Sequence, residues 1–177
     1  MKLTRLDIPV TKNTIGQSEY ANRLDLVRVE LPPTVIEIGN HAFEGCRNLE
    51  HITIPSSVKK IGVAAFCGCQ TLKSVVLPEG LTVLEDLLFA LCEHLEEVVI
   101  PKTVVSIRPQ AFRECRALKM IMLPESVEII GAHSFDGCVS LESCNRPAAL
   151  KKVDGYAFFN TPLVSNTPYD PEQTLLF

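Results

Sequence analysis

The sequence predicts a solenoid of seven 23-residue coils, mostly β with short helical turns, and four registers carry that prediction. Proline recurs at Pro9, Pro32, Pro55, Pro78, Pro101, Pro124 and Pro147, always 23 residues after the last. With proline near 5% of an average composition, six successive matches have a chance probability on the order of 10⁻⁸. An aromatic ring keeps the same period at Tyr20, Phe43, Phe66, Phe89, Phe112, Phe135 and Phe158. Leucine keeps it at Leu3, Leu26, Leu49, Leu72, Leu95, Leu118 and Leu141, and cysteine follows at Cys46, Cys69, Cys92, Cys115 and Cys138. Registers that share one period mark a stack of identical supersecondary units.

Each unit is readable in order. In Leu49-Glu50-His51-Ile52-Thr53-Ile54-Pro55, Ile52 and Ile54 alternate inward along a strand and Leu49 anchors its entrance. The proline lacks an N–H for a sheet ladder, so every strand stops at the same height. A second extended piece, Val58-Lys59-Lys60-Ile61, sends Val58 and Ile61 into the core. Gly62 then permits a turn at little steric cost. Ala65-Phe66 begins a short helical turn, the small alanine leaving room for the ring, and Cys69 closes the coil in a tight corner. A single coil cannot bury its apolar side, but a stack buries a continuous one. At ~4.8 Å between neighbouring strands the stack is roughly 34 Å long.

The ends deviate. Residues 1–23 form an N-terminal capping coil, with Arg23 at the cysteine position and polar Gln17-Ser18-Glu19 before Tyr20. Near the other end, Cys144 and Arg146 replace the Ile52 and Ile54 of earlier strands, and 147–165 is a degenerate last coil. One repeat domain therefore spans 1–165, followed by a tail over 166–177. Its Leu175-Leu176-Phe177 either folds back over the open end of the core, or the chain is cut from a longer array.

Composition narrows the function. Seventeen basic residues are scattered among twenty-one acidic ones, for a net charge of −4, so there is no electrostatic footprint for nucleic acid or an anionic membrane. No apolar run approaches the roughly 18 residues of a membrane span. Arg5 and Asp7 interrupt the N-terminus where a signal peptide needs an apolar stretch, so the chain as written is expected to stay where it is made. Seven cysteines, odd in number and regular in spacing, do not read as a disulfide framework.

The unit L-P-x-x-V-x-x-I-G-x-x-A-F-x-x-C-x-x-L, clearest over Leu31 to Leu49, Ile54 to Leu72 and Leu123 to Leu141, resembles the BspA-type leucine-rich repeats. The resemblance covers about residues 1–163. It implies a right-handed leucine-rich-repeat solenoid with a parallel sheet on its inner, concave face. It also implies surface or secreted adhesion and protein binding, a placement at odds with the N-terminus just described. The fourth coil departs from the pattern, with Glu85 for glycine and Leu88 for alanine, and its turn is expected to be more helical.

The outward positions of the strands form two columns. One reads Asp7, Glu30, Thr53, Val76, Val99, Met122, Asn145, and its neighbour Arg5, Arg28, His51, Ser74, Glu97, Met120, Ser143. Polar residues at the ends enclose an apolar centre, as at interaction sites, and methionine adapts to irregular partners. Plain strand propensity explains the valines equally well, but it would not select two adjacent methionines. The expected partner-binding residues are His51, Thr53, Ser74, Val76, Glu97, Val99, Met120 and Met122. The partner is expected to be a protein, with a glycan or small-molecule receptor on the same face as the alternative and self-association through the solenoid ends left open. A third column, Glu50, Lys73, Glu96, Lys119, Glu142, alternates in charge and serves register and solubility.

Catalytic chemistry finds little support. Thiols spaced 23 residues apart match no zinc-ligand spacing, and they read as small buried hydrophobes. A site made by Cys69, Cys92 and His94 is the one metal grouping the spacing suggests. Cys67 breaks the register, faces solvent and is the thiol expected to react first. His41 and His133 share one turn position, and His51 has no nucleophile beside it. There is no phosphate-cradling glycine loop, and Glu96 and Glu97 belong to different columns, so they do not form an acid–base pair. No enzyme activity, cofactor or metal is expected.

Overall fold

The computed structural model describes residues 4–6 and 8–163, so the tail, with Leu175-Leu176-Phe177, lies outside the described residues. Each coil contributes two short strands. The first of each coil are β1 (Thr4–Leu6), β3 (Leu26–Glu30), β5 (His51–Thr53), β7 (Ser74–Val76), β9 (Glu97–Val99), β11 (Met120–Ile121) and β13 (Ser143–Cys144). The second are β2 (Thr14–Ile15), β4 (Glu37–Ile38), β6 (Lys60–Ile61), β8 (Val83–Leu84), β10 (Ser106–Ile107), β12 (Ile129–Ile130) and β14 (Lys152–Val153). All pairings are parallel and, apart from a one-residue register shift between Thr4 and Arg5 in β1, join residues one repeat apart, as Arg28 with His51 and His51 with Ser74. The first-strand sheet runs β1-β3-β5-β7-β9 and resumes as β11-β13, and the second runs β2-β4-β6 and resumes as β8-β10-β12-β14.

Two expectations are corrected. Seven coils were predicted, but the seven first strands enclose six complete turns. The seventh coil runs from β13 through β14 to Phe158, and among the described residues no further strand closes it. Short helical turns were also predicted, yet the described residues contain no helix. An α-helix needs successive N–H groups to bond back four residues. Here alternate ones are taken by the next coil: Phe43 N–H donates to Ala65 O at 2.8 Å and Phe66 N–H to Leu88 O at 3.1 Å. Those between close three-residue turns, as Cys46 N–H does to Phe43 O at 3.2 Å. Each coil also places two residues at positive φ, four apart, such as His41 and Gly45, or Leu87 and Leu91. Left-handed residues cannot continue a right-handed helix. The fourth coil, for all its Glu85 and Leu88, follows the same turn, with Phe89 N–H on Ala111 O at 2.7 Å.

The repeated glycine serves close approach rather than the turn. A Cβ on Gly62 would lie 2.6 Å from Asn40 N and 2.8 Å from the carbonyl carbon of Gly39 in the preceding coil. The break between β6 and β8 falls where Glu85 takes that position. Arg108 occupies the same place with its pairing intact, its N–H 2.8 Å from Leu84 O, so a side chain alone does not account for the break.

Between the sheets and the turns lies the core. Tyr20 and the six phenylalanines of its register stack with ring centroids 5.0–5.6 Å apart. Leu26, Leu49, Leu72, Leu95, Leu118 and Leu141 form a second buried ladder beside them. At the C-terminal end Cys144 is buried where isoleucine stands earlier, whereas Arg146 is exposed. There the Asn145 side chain replaces the backbone ladder, its amide donating to Leu123 O at 2.9 Å and its oxygen accepting from Leu123 N–H at 2.7 Å.

Candidate functional site

Strand alternation decides which side chains reach solvent. In β7 and β9 the middle residues, Val75 and Val98, are buried while Ser74, Val76, Glu97 and Val99 are exposed. The same alternation brings the eight predicted residues onto one face. His51 lies opposite Ser74, Ser74 opposite Glu97, and Val76 opposite Val99. Met120 continues one column in β11, and Met122 stands just past that strand. Thr53 is exposed beside Glu30 in the register of β3 and β5. At the N-terminal end Arg5 is placed by its backbone in β1, and Asp7 lies outside the described residues.

The centre of this face is apolar and wet. Val76 is 65% exposed, Val99 45%, Met120 55% and Met122 58%. Beneath that centre the sheet is interrupted, for no strand pairing joins β9 to β11 among the described residues. The interruption could not be read from the sequence, since Val98 and Ile121 are both buried, as a continuous sheet requires. The alternating column is exposed as well, apart from half-buried Glu50. Among the described residues no ion pair links its members. The pairs that do cross from coil to coil lie elsewhere, Lys60 with Glu37 and Lys151 with Glu128, each at 2.9 Å, and Arg113 with Asp136 at 3.5 Å.

The cysteine ladder is more than apolar filling. The Sγ of Cys46, Cys69, Cys92, Cys115 and Cys138 donates to the carbonyl of Tyr20, Phe43, Phe66, Phe89 and Phe112 respectively, at 3.0–3.3 Å. Each thiol thus ties its coil to the one before, a role its spacing did not reveal. Burial pushes the Cys46 thiol up to about 11 and those of Cys138 and Cys144 to about 12. Burial also holds Cys69, Cys92 and Cys115 well above the ordinary thiol value. A thiol that stays protonated is a poor nucleophile and a poor metal ligand. Cys67 is half-buried rather than open to solvent, and burial raises its pKa too.

The histidines are tied locally. His94 Nδ1 donates to Gln70 O at 2.8 Å, away from Cys69 and Cys92. His41 Nδ1 meets Glu44 Oε2 at 2.8 Å and His133 Nδ1 meets Asp136 Oδ2 at 3.2 Å. His51 has Glu50 Oε2 at 3.9 Å. Among the described residues no group of three or more His, Cys, Asp or Glu side chains is arranged to hold a metal. No helix among them is long and apolar enough to cross a membrane.

Two surface features were missed. On the turn edge His133 stacks on Tyr156 at 5.3 Å, and Tyr156 meets Phe159 edge-on at 5.5 Å. Their signal was present, since Tyr156 is the His133 position one repeat later. A groove of about 570 Å³ lies next to them, lined by Glu114, Arg116, Gly137, Val139, Asn160, Thr161 and Pro162. Its charges are already used, Arg116 pairing with Glu114 at 2.9 Å.

Comparison with known proteins matches the chain to a family model described as a BspA-type leucine-rich repeat region, in six copies over residues 1–119 and 84–170. Among solved structures, a Treponema pallidum leucine-rich repeat protein is 32% identical with a TM-score of 0.72, the match covering 80% of this chain and 64% of that one. A leucine-rich repeat protein from Eubacterium ventriosum is 25% identical with a TM-score of 0.84, covering 97% and 45%. A leucine-rich cell surface protein from Faecalibacterium prausnitzii is 32% identical with a TM-score of 0.60, covering 75% and 42%. This chain thus spans less than two thirds of the length of each. No curated protein matches it.

Proposed function

We propose, from the premise that this chain belongs to the BspA-type leucine-rich repeat family, that it is a protein-binding module whose working surface is the first-strand sheet. The observation that carries this reading is the group of four large apolar side chains exposed on one face, Val76 and Val99 paired across β7 and β9, Met120 in β11 and Met122 just past it. An exposed apolar patch with a polar rim marks an interaction surface. His51, Thr53, Ser74 and Glu97 supply that rim.

A protein fits the face better than a sugar. Glycans are commonly held by stacking on exposed Trp, Tyr or Phe rings, and the two outward columns carry none of these between Arg28 and Asn145. Binding also suits the face better than catalysis, since His51 stands beside Glu50 with no nucleophile between them. An adhesin-like or scaffold role follows from the reading. The cell-surface description of the Faecalibacterium prausnitzii relative supports the first of these.

The test compares what the wild type and a Val99→Lys/Met122→Lys double variant capture from the source cell and its surroundings. A partner held only by the wild type, with both proteins equally folded, is the expected result. Identical captures would move the working surface to the turns or the solenoid ends.

A further inference from the structure

The charges around the apolar centre are arranged to match themselves. At the strand entrances stand Glu50, Lys73, Glu96 and Lys119, one per coil and alternating in sign. The 3.9 Å contact between Glu50 and His51 places this column along the edge of the same face. At the strand exits, beyond the prolines, Glu79 and Lys102 repeat the alternation on the opposite rim, both exposed. Among the described residues none of Lys73, Glu96, Lys119, Glu79 or Lys102 is in an intramolecular ion pair. Their side-chain charges are therefore open to a partner, although Lys59 Nζ donates to the Glu79 backbone carbonyl at 3.3 Å.

We propose that this face pairs with a second copy of the chain, about a two-fold axis parallel to the strands and passing between β7 and β9. The inference rests on the reading of this face as the binding surface and names its partner. Rotation about such an axis turns one sheet onto the other and reverses the order of the coils, leaving each column opposite itself. Lys73 then faces Glu96 of the second copy, Glu50 faces Lys119, and on the far rim Glu79 faces Lys102. Between the rims Val76 meets Val99, and Thr53 meets Met122. Each contact occurs twice, as two-fold symmetry requires.

The register is selective. The axis falls where the ladder is continuous, joining Ser74 to Glu97, Val75 to Val98 and Val76 to Val99. Moved half a coil, so that it runs through β9, it sets Glu96 on Glu96, Lys102 on Lys102 and Lys73 on Lys119, all repulsive. Moved a whole coil, between β9 and β11, it restores opposite charges but engages only four coils instead of six. Sheets stacked face to face with nearly aligned strands, about 10 Å apart, are an ordinary packing.

Sedimentation from about 1 μM to about 500 μM, a span that brackets weak to moderate association, tests the pairing on wild type, Lys73→Glu and Lys73→Glu/Glu96→Lys. The wild type is expected to dimerise with concentration, and more weakly in high salt. Lys73→Glu places two pairs of like charges in contact and is expected to weaken the dimer by about tenfold or more. The double swap re-forms the pairs only in the proposed register, and it is expected to restore association. Unchanged thermal midpoints would show that all three proteins fold alike. A wild type monomeric at every concentration, or a folded double swap that stays as weak as the single variant, would overturn the pairing. Should that happen while Val99→Lys/Met122→Lys still loses a captured partner, the face keeps its binding role and only the self-pairing falls.

Discussion

The turn edge and the first-strand sheet are built from the same repeat, yet they are joined from coil to coil in different ways. Along the turn edge every step carries the same backbone bond, from Phe43 N–H on Ala65 O to Phe135 N–H on Ala157 O. A ring stack runs beside it from end to end, and thiol hydrogen bonds accompany it from Cys46 to Cys138. The sheet's ladder stops between β9 and β11. The difference teaches that the turn edge holds the stack together, leaving the sheet free to vary in sequence and even in pairing.

Alkali should break that comparison most severely. The unfolded chain releases its thiol protons near 9, whereas the Cys138 and Cys144 thiols hold theirs to about 12. Above pH 9 the unfolded state therefore binds fewer protons than the folded one, and stability falls as pH rises toward 12. Stability that is flat below pH 9 and falls by several kcal/mol by about pH 11 is expected from denaturant midpoints. A flat profile to pH 11 would show that the thiols ionise freely in the fold. Next, Phe89→Ala should cost about 3–5 kcal/mol, because the ring is fully buried between Phe66 and Phe112.

The thiols themselves allow a sharper test. Cys92→Ala should cost about 1–2 kcal/mol, and Cys92→Ser less, because a hydroxyl can still donate to Phe66 O. Serine proving worse than alanine would return the ladder to a purely apolar role. Gly68→Ala should cost about 1 kcal/mol, since φ is +71° while the added methyl would find Gly45 Cα at an ordinary 3.6 Å. Leu91→Gly, at φ +62° in the same register, should shift the thermal midpoint the other way. The smallest effect belongs to the sheet, where Val99→Lys should change stability by no more than about 0.5 kcal/mol. A larger loss there would show that the face supports the fold and not just a partner.

How much of this was legible depended on whether side chains carried the signal. The ladders, the strands and the columns of the face were readable because burial imposes a period on residue type. The turns were not, because what excludes a helix there is backbone bonding between coils, which no side chain reports. Positive φ at Leu87, Leu91, Gln110 and Glu114 was likewise hidden, since only glycine announces it. Glycine misled in the other direction at Gly62, where the tight contact lies across to Asn40 and not within the turn. The methionines of the face were visible, but the break in pairing beneath Met120 had no residue to mark it.

The two interruptions lie on different sides of the stack, β6 from β8 in one sheet and β9 from β11 in the other. The fourth and fifth coils are consequently shared, tied by β7 and β9 to the N-terminal sheet and by β8 and β10 to the C-terminal one. Pulled from its ends, such a molecule would not shear at one plane. It would give first at two staggered places, lengthening in a zigzag while the stacked rings kept the pieces threaded on one spine.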